Sequence, residues 1–146
     1  MKILVINGAN LNFLGIRQKS VYGNKSYAEL ISMLENYSRK KGFEIECFQS
    51  NCEGAIIDRI QASYSDGTDA IIINAGAYTH YSYAIYDALL GVEHIRKVEV
   101  HISDISVRED FRKLSVIEPA CERLIKGEGL NGYICAVDYL LSKKTI

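Results

Sequence analysis

The chain has 146 residues, with 17 Lys plus Arg against 18 Asp plus Glu and a formal net charge of −1 at pH 7. That length predicts a single domain, residues 1–146, with a core made from its own apolar side chains. The near-balance of charge argues against nucleic acid or an anionic membrane as a partner, and a lone proline argues against a long disordered linker. Cys47, Cys52, Cys121 and Cys135 form no C-x-x-C pair and no zinc-ligand spacing, so they are expected as reduced thiols acting as small core residues. The opening MKILVING runs straight into a strand pattern, which predicts no leader. No apolar run approaches the roughly 20 residues of a membrane span, and a reducing cytoplasm fits these features.

Ile3 to Ile6 is a short continuous apolar run, the mark of a strand covered on both faces. It gives way at Asn7 and Gly8 to a long loop, about residues 9–25; loops of this length in small domains are commonly functional or disordered, and this one is expected as an active-site lid. Ser26 and Glu29 form a capping box. The helix they start carries Tyr27, Leu30, Ile31, Leu34 and Tyr37 on one face, meets Arg39, Lys40 and Lys41 at its negative end, and stops at Gly42. Glu44 to Gln49 alternates and predicts a less buried strand. Ser50 and Glu53 repeat the capping-box spacing before a helix bearing Ile56, Ile57, Ile60 and Tyr64, expected to end near Gly67.

Ala70 to Asn74 is a third, fully apolar strand, and Ser82 to Leu90 a short helix closed by Gly91. In the fourth strand Val98, Val100 and Ile102 alternate with Glu99, His101 and Ser103. Arg108 to Leu114 reads as a loop with a short helix, and Cys121 to Lys126 as a fifth strand. Asn131 to Lys144 predicts a last helix with Ile134, Val137 and Leu141 as its stripe. Strands alternating with helices imply right-handed parallel crossovers. The predicted class is α/β, a flavodoxin-like, doubly wound, five-stranded parallel sheet with helices on both faces. In such folds ligands bind outside the carboxyl ends of the strands.

At those ends the sequence places Asn7 and a loop with Asn10, Asn12, Arg17 and Tyr22; then Asn74 with Tyr78, Thr79 and His80; then His101 to Ser103, followed by Arg108 and Arg112. No G-x-G-x-x-G or Walker motif is present, no metal-ligand spacing and no G-x-S-x-G elbow. A phenol, an imidazole, guanidinium groups and amides suit proton chemistry on a small, polyhydroxylated anion. Arg112 and amides near Ile102 could hold a carboxylate, and Asn74 and His80 could bond hydroxyls. Glu99 and His101 lie two apart on a strand, so the carboxylate can favour a protonated imidazole, as a general acid needs. An unperturbed phenol is ionised to only about one part in a thousand at pH 7. A cation nearby raises that fraction, and Arg17 lies in the same loop as Tyr22.

Taken in order, these pieces resemble the type II 3-dehydroquinate dehydratases. The resemblance is carried by NGANLN with Gly15, Arg17 and VYG at 21–23; QSN at 49–51 with Glu53 and Gly54; NAGAYTH at 74–80 with Asp87; VEVHIS at 98–103; and Arg108, Glu109, Phe111 and Arg112. It implies loss of water from 3-dehydroquinate to give 3-dehydroshikimate, by anti elimination through an enolate, in the shikimate pathway of aromatic amino acid biosynthesis. Use of the same reaction in quinate breakdown is the alternative. No cofactor, metal or Schiff-base lysine is implied. By position Tyr22 would be the base, Arg17 its charge stabiliser, Asn12 the holder of a water facing the enolate oxygen, and His101, with Glu99, the acid. Asn74, His80, Ile102, Ser103 and Arg112 would bind substrate. Asp87 would reach a neighbouring subunit's site in a dodecamer of four trimers. The chain departs from the common family pattern at Ala9, at Gln18 and Lys19, at Asp104 and after Leu114.

Each residue alone has a plainer reading: Tyr22 as a loop anchor, His101 as a satisfied strand-end histidine, Arg17 and Arg112 as surface charges, Asp87 as a helix-surface carboxylate. His94 matches no site and reads as structural. A flavodoxin-like binding module without turnover and another lyase on the same scaffold remain open at this stage. An assay for the product's conjugated enone separates the first from an enzyme.

Overall fold

The computed structural model describes residues 1–142. Five parallel strands, β1 (Lys2–Asn7), β2 (Glu44–Gln49), β3 (Ala70–Asn74), β4 (Arg96–His101) and β5 (Arg123–Lys126), form one sheet in the order β2-β1-β3-β4-β5. This is the flavodoxin-like order, and its direction of winding reverses at the β1/β3 boundary. There Asn7 is paired in register with Asn74 on one side and Gln49 on the other. Three polar side chains thus end three adjacent strands at one level.

Helices α2 (Tyr27–Lys41) and α5 (Asn131–Ser142) cover one face, where Ile3, Val5, Ile72, Val98 and Val100 meet Leu30, Leu34, Tyr133 and Val137. Helices α3 (Glu53–Ala62) and α4 (Tyr83–Gly91) cover the other, where Leu4, Ile6, Ile71 and Ile73 meet Ile56, Ile60, Ile85 and Leu89. Successive residues of β1 point to opposite faces, which is why its apolar run is unbroken. The predicted capping box is formed: Glu29 N–H donates to Ser26 Oγ at 3.1 Å, and Ser26 N–H to the Glu29 carboxylate at 2.5 Å. Gly42 closes α2 in the left-handed region, with φ of 75°.

Four expectations need correction. Ser50 does not cap α3: its N–H is still tied to the sheet through Asn7 O, its hydroxyl takes the Cys52 N–H, and Cys52 is the capping position. Helix α3 ends at Ala62, leaving Tyr64 exposed. In β4, Lys97 to His101 are all buried, polar residues included. Lys97 Nζ is satisfied there by the Val92 and Ile95 carbonyls at 2.8 and 2.7 Å. The buried stripe of α5 is Tyr133, Ala136, Val137 and Leu140, with Ile134 and Leu141 only partly buried. The end expected at Lys144 lies outside the described residues. Of the thiols, none is fully buried and Cys52 is exposed; all four are free.

The long connection after β1 is not plain loop. A 3-10 turn (Leu11–Phe13) and the short helix α1 (Lys19–Tyr22) sit within it. Leu11 and Leu14 anchor it in the core beside α2. No described helix is long and apolar enough to cross a membrane.

Candidate active site

The β1 end and the turn after β3 approach closely. Gly8 N–H donates to Asn74 O at 2.7 Å, and a Cβ on Gly8 would stand 2.3 Å from Ala75 O. Gln49 Nε2 donates to Gly8 O at 3.2 Å, while Asn51 Oδ1 accepts from Asn10 N–H at 2.9 Å. The loop after β2 therefore fixes where the connection after β1 leaves the sheet. Tyr78, whose place in the sequence left its role open, ties the turn after β3 to this loop through Asn51 O at 2.7 Å. Below, Tyr133 donates to Asn7 Oδ1 at 2.5 Å and accepts from Asn74 Nδ2 at 3.0 Å. Burial pushes the Tyr133 phenol far above its ordinary value, so it stays neutral and structural.

Over this floor lies a narrow cleft of about 80 Å³, in which Arg17 and Tyr22 from the connection after β1 face Asn74, His80, His101, Ile102, Ser103 and Arg112. Eight of the eleven residues expected at the site are thus brought together. Glu99 stands directly behind His101, its Oε1 2.6 Å from Nε2. Asn12 is exposed and does not line the cleft; its Oδ1 is 3.5 Å from Gln49 Nε2. Asp87 is exposed on α4 and lines a separate hollow with Ile57, Tyr64 and Gly91. His94 is likewise outside the cleft, edge-on to Tyr64 at 5.0 Å.

The phenol of Tyr22 is flanked by two cations. Arg17 lies over its ring, the guanidinium carbon 4.5 Å from the ring centre. Arg108 makes the direct bond, Nη1 donating to the phenolic oxygen at 2.6 Å, with its guanidinium carbon 5.3 Å from the ring. Arg108 Nη1 also reaches Ser103 Oγ at 3.5 Å. Sequence order named Arg17 as the partner and left Arg108 without a role. Eighty-six residues separate Arg108 from Tyr22, and only the fold joins them. Arg112 is held by Glu109 at 2.9 Å and lies over Phe111. Its arginines make the cleft a place for a small anion.

The two histidines have defined partners. His80 Nδ1 lies 2.8 Å from Leu114 O. A carbonyl only accepts, so Nδ1 carries the proton and Nε2 of the neutral ring is an acceptor. Burial, together with the charges of His101 and Arg112, lowers the His80 pKa below its ordinary value, although the Leu114 bond opposes this. His80 stacks on His101 at 6.5 Å and 18°. With Nε2 of His101 engaged by Glu99, Nδ1 is the nitrogen left for a ligand. Among the described residues no group of three or more His, Cys, Asp or Glu could hold a metal.

The family model for class II dehydroquinases matches residues 1–141. The chain belongs to the class II dehydroquinase family. It is 61% identical over 142 residues to the 3-dehydroquinate dehydratase of Lachnoclostridium phytofermentans, covering 97% of each chain. It is 52% identical over 143 residues to that of Thermotoga maritima, covering 98% of this chain and 96% of the other. Among solved structures it superposes on the type II dehydroquinase of Butyrivibrio crossotus with a TM-score of 0.96 at 62% identity, and on that of Propionibacterium acnes with 0.93 at 37%. Each match covers 97% of both chains.

Proposed function

We propose that this chain removes water from 3-dehydroquinate to give 3-dehydroshikimate, acting as a hydro-lyase through a lid-covered cleft. The observation that carries this reading is the Tyr22 phenol, bonded to Arg108 and overlain by Arg17, in one cleft with a Glu99-backed His101. Ionised Tyr22 takes the C2 proton, and the freed electron pair moves onto the carbonyl oxygen as an enolate. Collapse of the enolate expels the hydroxyl, which His101 protonates from Nδ1 so that it leaves as water. Arg17 and Arg108 stabilise the negative charge in the early step. Arg112 and the backbone at Ile102 and Ser103 hold the substrate carboxylate, and Asn74 and His80 Nε2 bond its hydroxyls. Asn12, outside the cleft in this structure, would hold a water facing the enolate oxygen once the lid adjusts around substrate. The chain's own groups supply every proton movement.

The relatives' printed activity supports this reaction, and a role in the shikimate pathway is the use we propose for it. Four free thiols suit a reducing cytoplasm. The exposed Asp87, remote from its own cleft, supports a shared site in a dodecamer of four trimers. Light scattering tests that: a fully active 16.4 kDa monomer removes the shared site. The decisive assay is absorbance growth on adding 3-dehydroquinate, because the product is a conjugated enone. No growth at any pH would overturn the proposed reaction. In His101→Ala, exchange of the C2 proton with deuterated solvent should outpace product formation; equal loss of both rates would make His101 a binding group only.

A further inference from the structure

Behind the Glu99–His101 pair stand two buried hydroxyls, Ser115 and Thr79, that take no direct part in the reaction. Glu99 is fully buried and receives three donors: His101 Nε2 at 2.6 Å, Ser115 Oγ at 2.8 and 2.9 Å to its two oxygens, and Thr79 Oγ1 at Oε1. Thr79 and Ser115 are themselves buried, and neither lines the cleft. Each hydroxyl has one proton to give. Ser115 accepts the Glu118 N–H at 3.0 Å, so its own proton is directed at the carboxylate, and the Thr79 proton goes there too. A buried charge persists where such donors satisfy it.

The same segment reaches the second histidine. Leu114 O holds His80 Nδ1 at 2.8 Å, and Val116 N–H donates to Thr79 O at 2.8 Å. Three consecutive residues, Leu114, Ser115 and Val116, therefore strap Thr79, His80 and Glu99 together. An ionised carboxylate accepts only, so His101 Nε2 must carry a proton whatever the charge of the ring.

We propose that the strap at residues 114–116, with Thr79, sets the tautomers of both site histidines, and that Ser115 and Thr79 are positioning residues acting through Glu99. The strap leaves His80 Nε2 as the acceptor of a neutral ring and frees His101 Nδ1 for the cleft, where it donates when the ring is the imidazolium. The kinetic part of this inference rests on the dehydration reading; the tautomers do not. Around the Glu99–His101 pair stand His80, the cleft's Arg17, Arg108 and Arg112, the Tyr22 phenol, and Glu109 on Arg112. Cys121 lies behind Glu99, with Lys97, Glu118 and Glu122 acting on it there. Loss of one neutral hydroxyl changes none of these charges.

The chain has only three histidines, so 15N imidazole spectra of the ligand-free protein resolve them. In the wild type the neutral ring of His101 should carry its proton on Nε2 and that of His80 on Nδ1, with His94 as internal reference. The opposite tautomer at either ring overturns the proposal, and that result needs no variant. Ser115→Ala and Thr79→Val each remove a hydroxyl with little change of shape, whereas Thr79→Ser keeps it. Glu99 short of a donor holds the imidazolium more firmly, so the His101 titration should move to higher pH while that of His94 stays. A more firmly held proton is a weaker acid, so kcat should fall by about ten- to a hundredfold, with KM changed less than about twofold. Thr79→Ser should restore the titration and most of kcat. A lowered Tm with His101 titration and kcat unmoved would reduce the cluster to packing. Wild type that shows the expected tautomers but no turnover of 3-dehydroquinate would overturn the reaction and leave the strap standing.

Discussion

Arg108 Nη1 donates to the Tyr22 phenolic oxygen at 2.6 Å, across 86 residues of chain. Arg17, five residues from Tyr22, touches only the face of the ring. A donor aimed at the oxygen favours the phenolate directly, whereas a cation over the ring acts through its π face. Arg108→Gln should therefore move the limb of the pH–rate profile that needs ionised Tyr22 to higher pH. It should also cut kcat by about 10²–10³ on the plateau, because the enolate loses a donor. Arg17→Gln should move that limb less. Profiles of both variants across roughly pH 6 to 10 decide it; a larger shift for Arg17→Gln would return the activating role to the residue nearer in sequence.

His80 gives a stability prediction with a definite sign. Burial lowers its folded pKa below 6.5, so between the two values the unfolded chain binds more protons. Its contribution is fully present above about pH 6.5 and is lost as pH falls through the lower folded value. Urea midpoints should drop between about pH 7.5 and pH 5, and drop less in His80→Gln. An equal drop in the variant would assign the acid sensitivity to other groups.

What the sequence made legible were features settled within a few residues. Ser26 and Glu29 specify a helix start that is formed as expected, and Gly42 its end. Ser50 and Glu53 show the same spacing, yet Ser50 N–H pairs with Asn7 O, so the helix cannot begin there. That competition is set by a strand 43 residues away, which local spacing does not report. Burial of the polar residues of β4 has mixed causes: Lys97 is satisfied by carbonyls just before it and His101 by Glu99 on its own strand, whereas Glu99 draws on Thr79 and Ser115 from distant segments. The convergence at the site was legible because the winding order puts strand ends together. The Arg108 bond and the strap at Ser115 were not, because loops chose them.

The thiols differ in environment and should differ in reactivity. Burial pushes Cys47 up to about 11 and Cys121 up to about 12, leaving almost no thiolate at neutral pH. Cys52 is exposed, and Cys135 accepts a long bond from Asn131 Nδ2 at 3.4 Å. A chromogenic disulfide at pH 8 should react fast with Cys52, and with Cys47 and Cys121 only on unfolding. Cys52→Ser should abolish the fast phase; its persistence would show that another thiol opens readily.

Two glycines of the connection after β1 should fail in different ways. Gly8 lies where β1 meets the turn after β3, and a Cβ there would stand 2.3 Å from one backbone oxygen and 2.6 Å from the carbon it belongs to. Backbone cannot rotate aside as a side chain can. Gly8→Ala must therefore part the β1 end from the β3 end, straining the Gly8–Asn74 bond and the Tyr133 bridge between Asn7 and Asn74. Forced insertion of this kind costs about 1–3 kcal/mol or more, so Tm and kcat should fall together. Gly23 closes α1 directly after Tyr22, with φ of 82° and ψ of −178°, and a Cβ there would meet nothing within 4 Å. That backbone region is essentially reserved for glycine, and a side chain in it costs about 1–3 kcal/mol. Here the segment can relieve the strain by shifting locally, which withdraws Tyr22 from Arg108 without loosening the core. Gly23→Ala should lower kcat with little change in Tm. Thermal melts and steady-state kinetics on the two variants test the contrast. A Tm loss in Gly23→Ala as large as that in Gly8→Ala would show that residues 19–23 are part of the cooperative core and not a segment that yields alone.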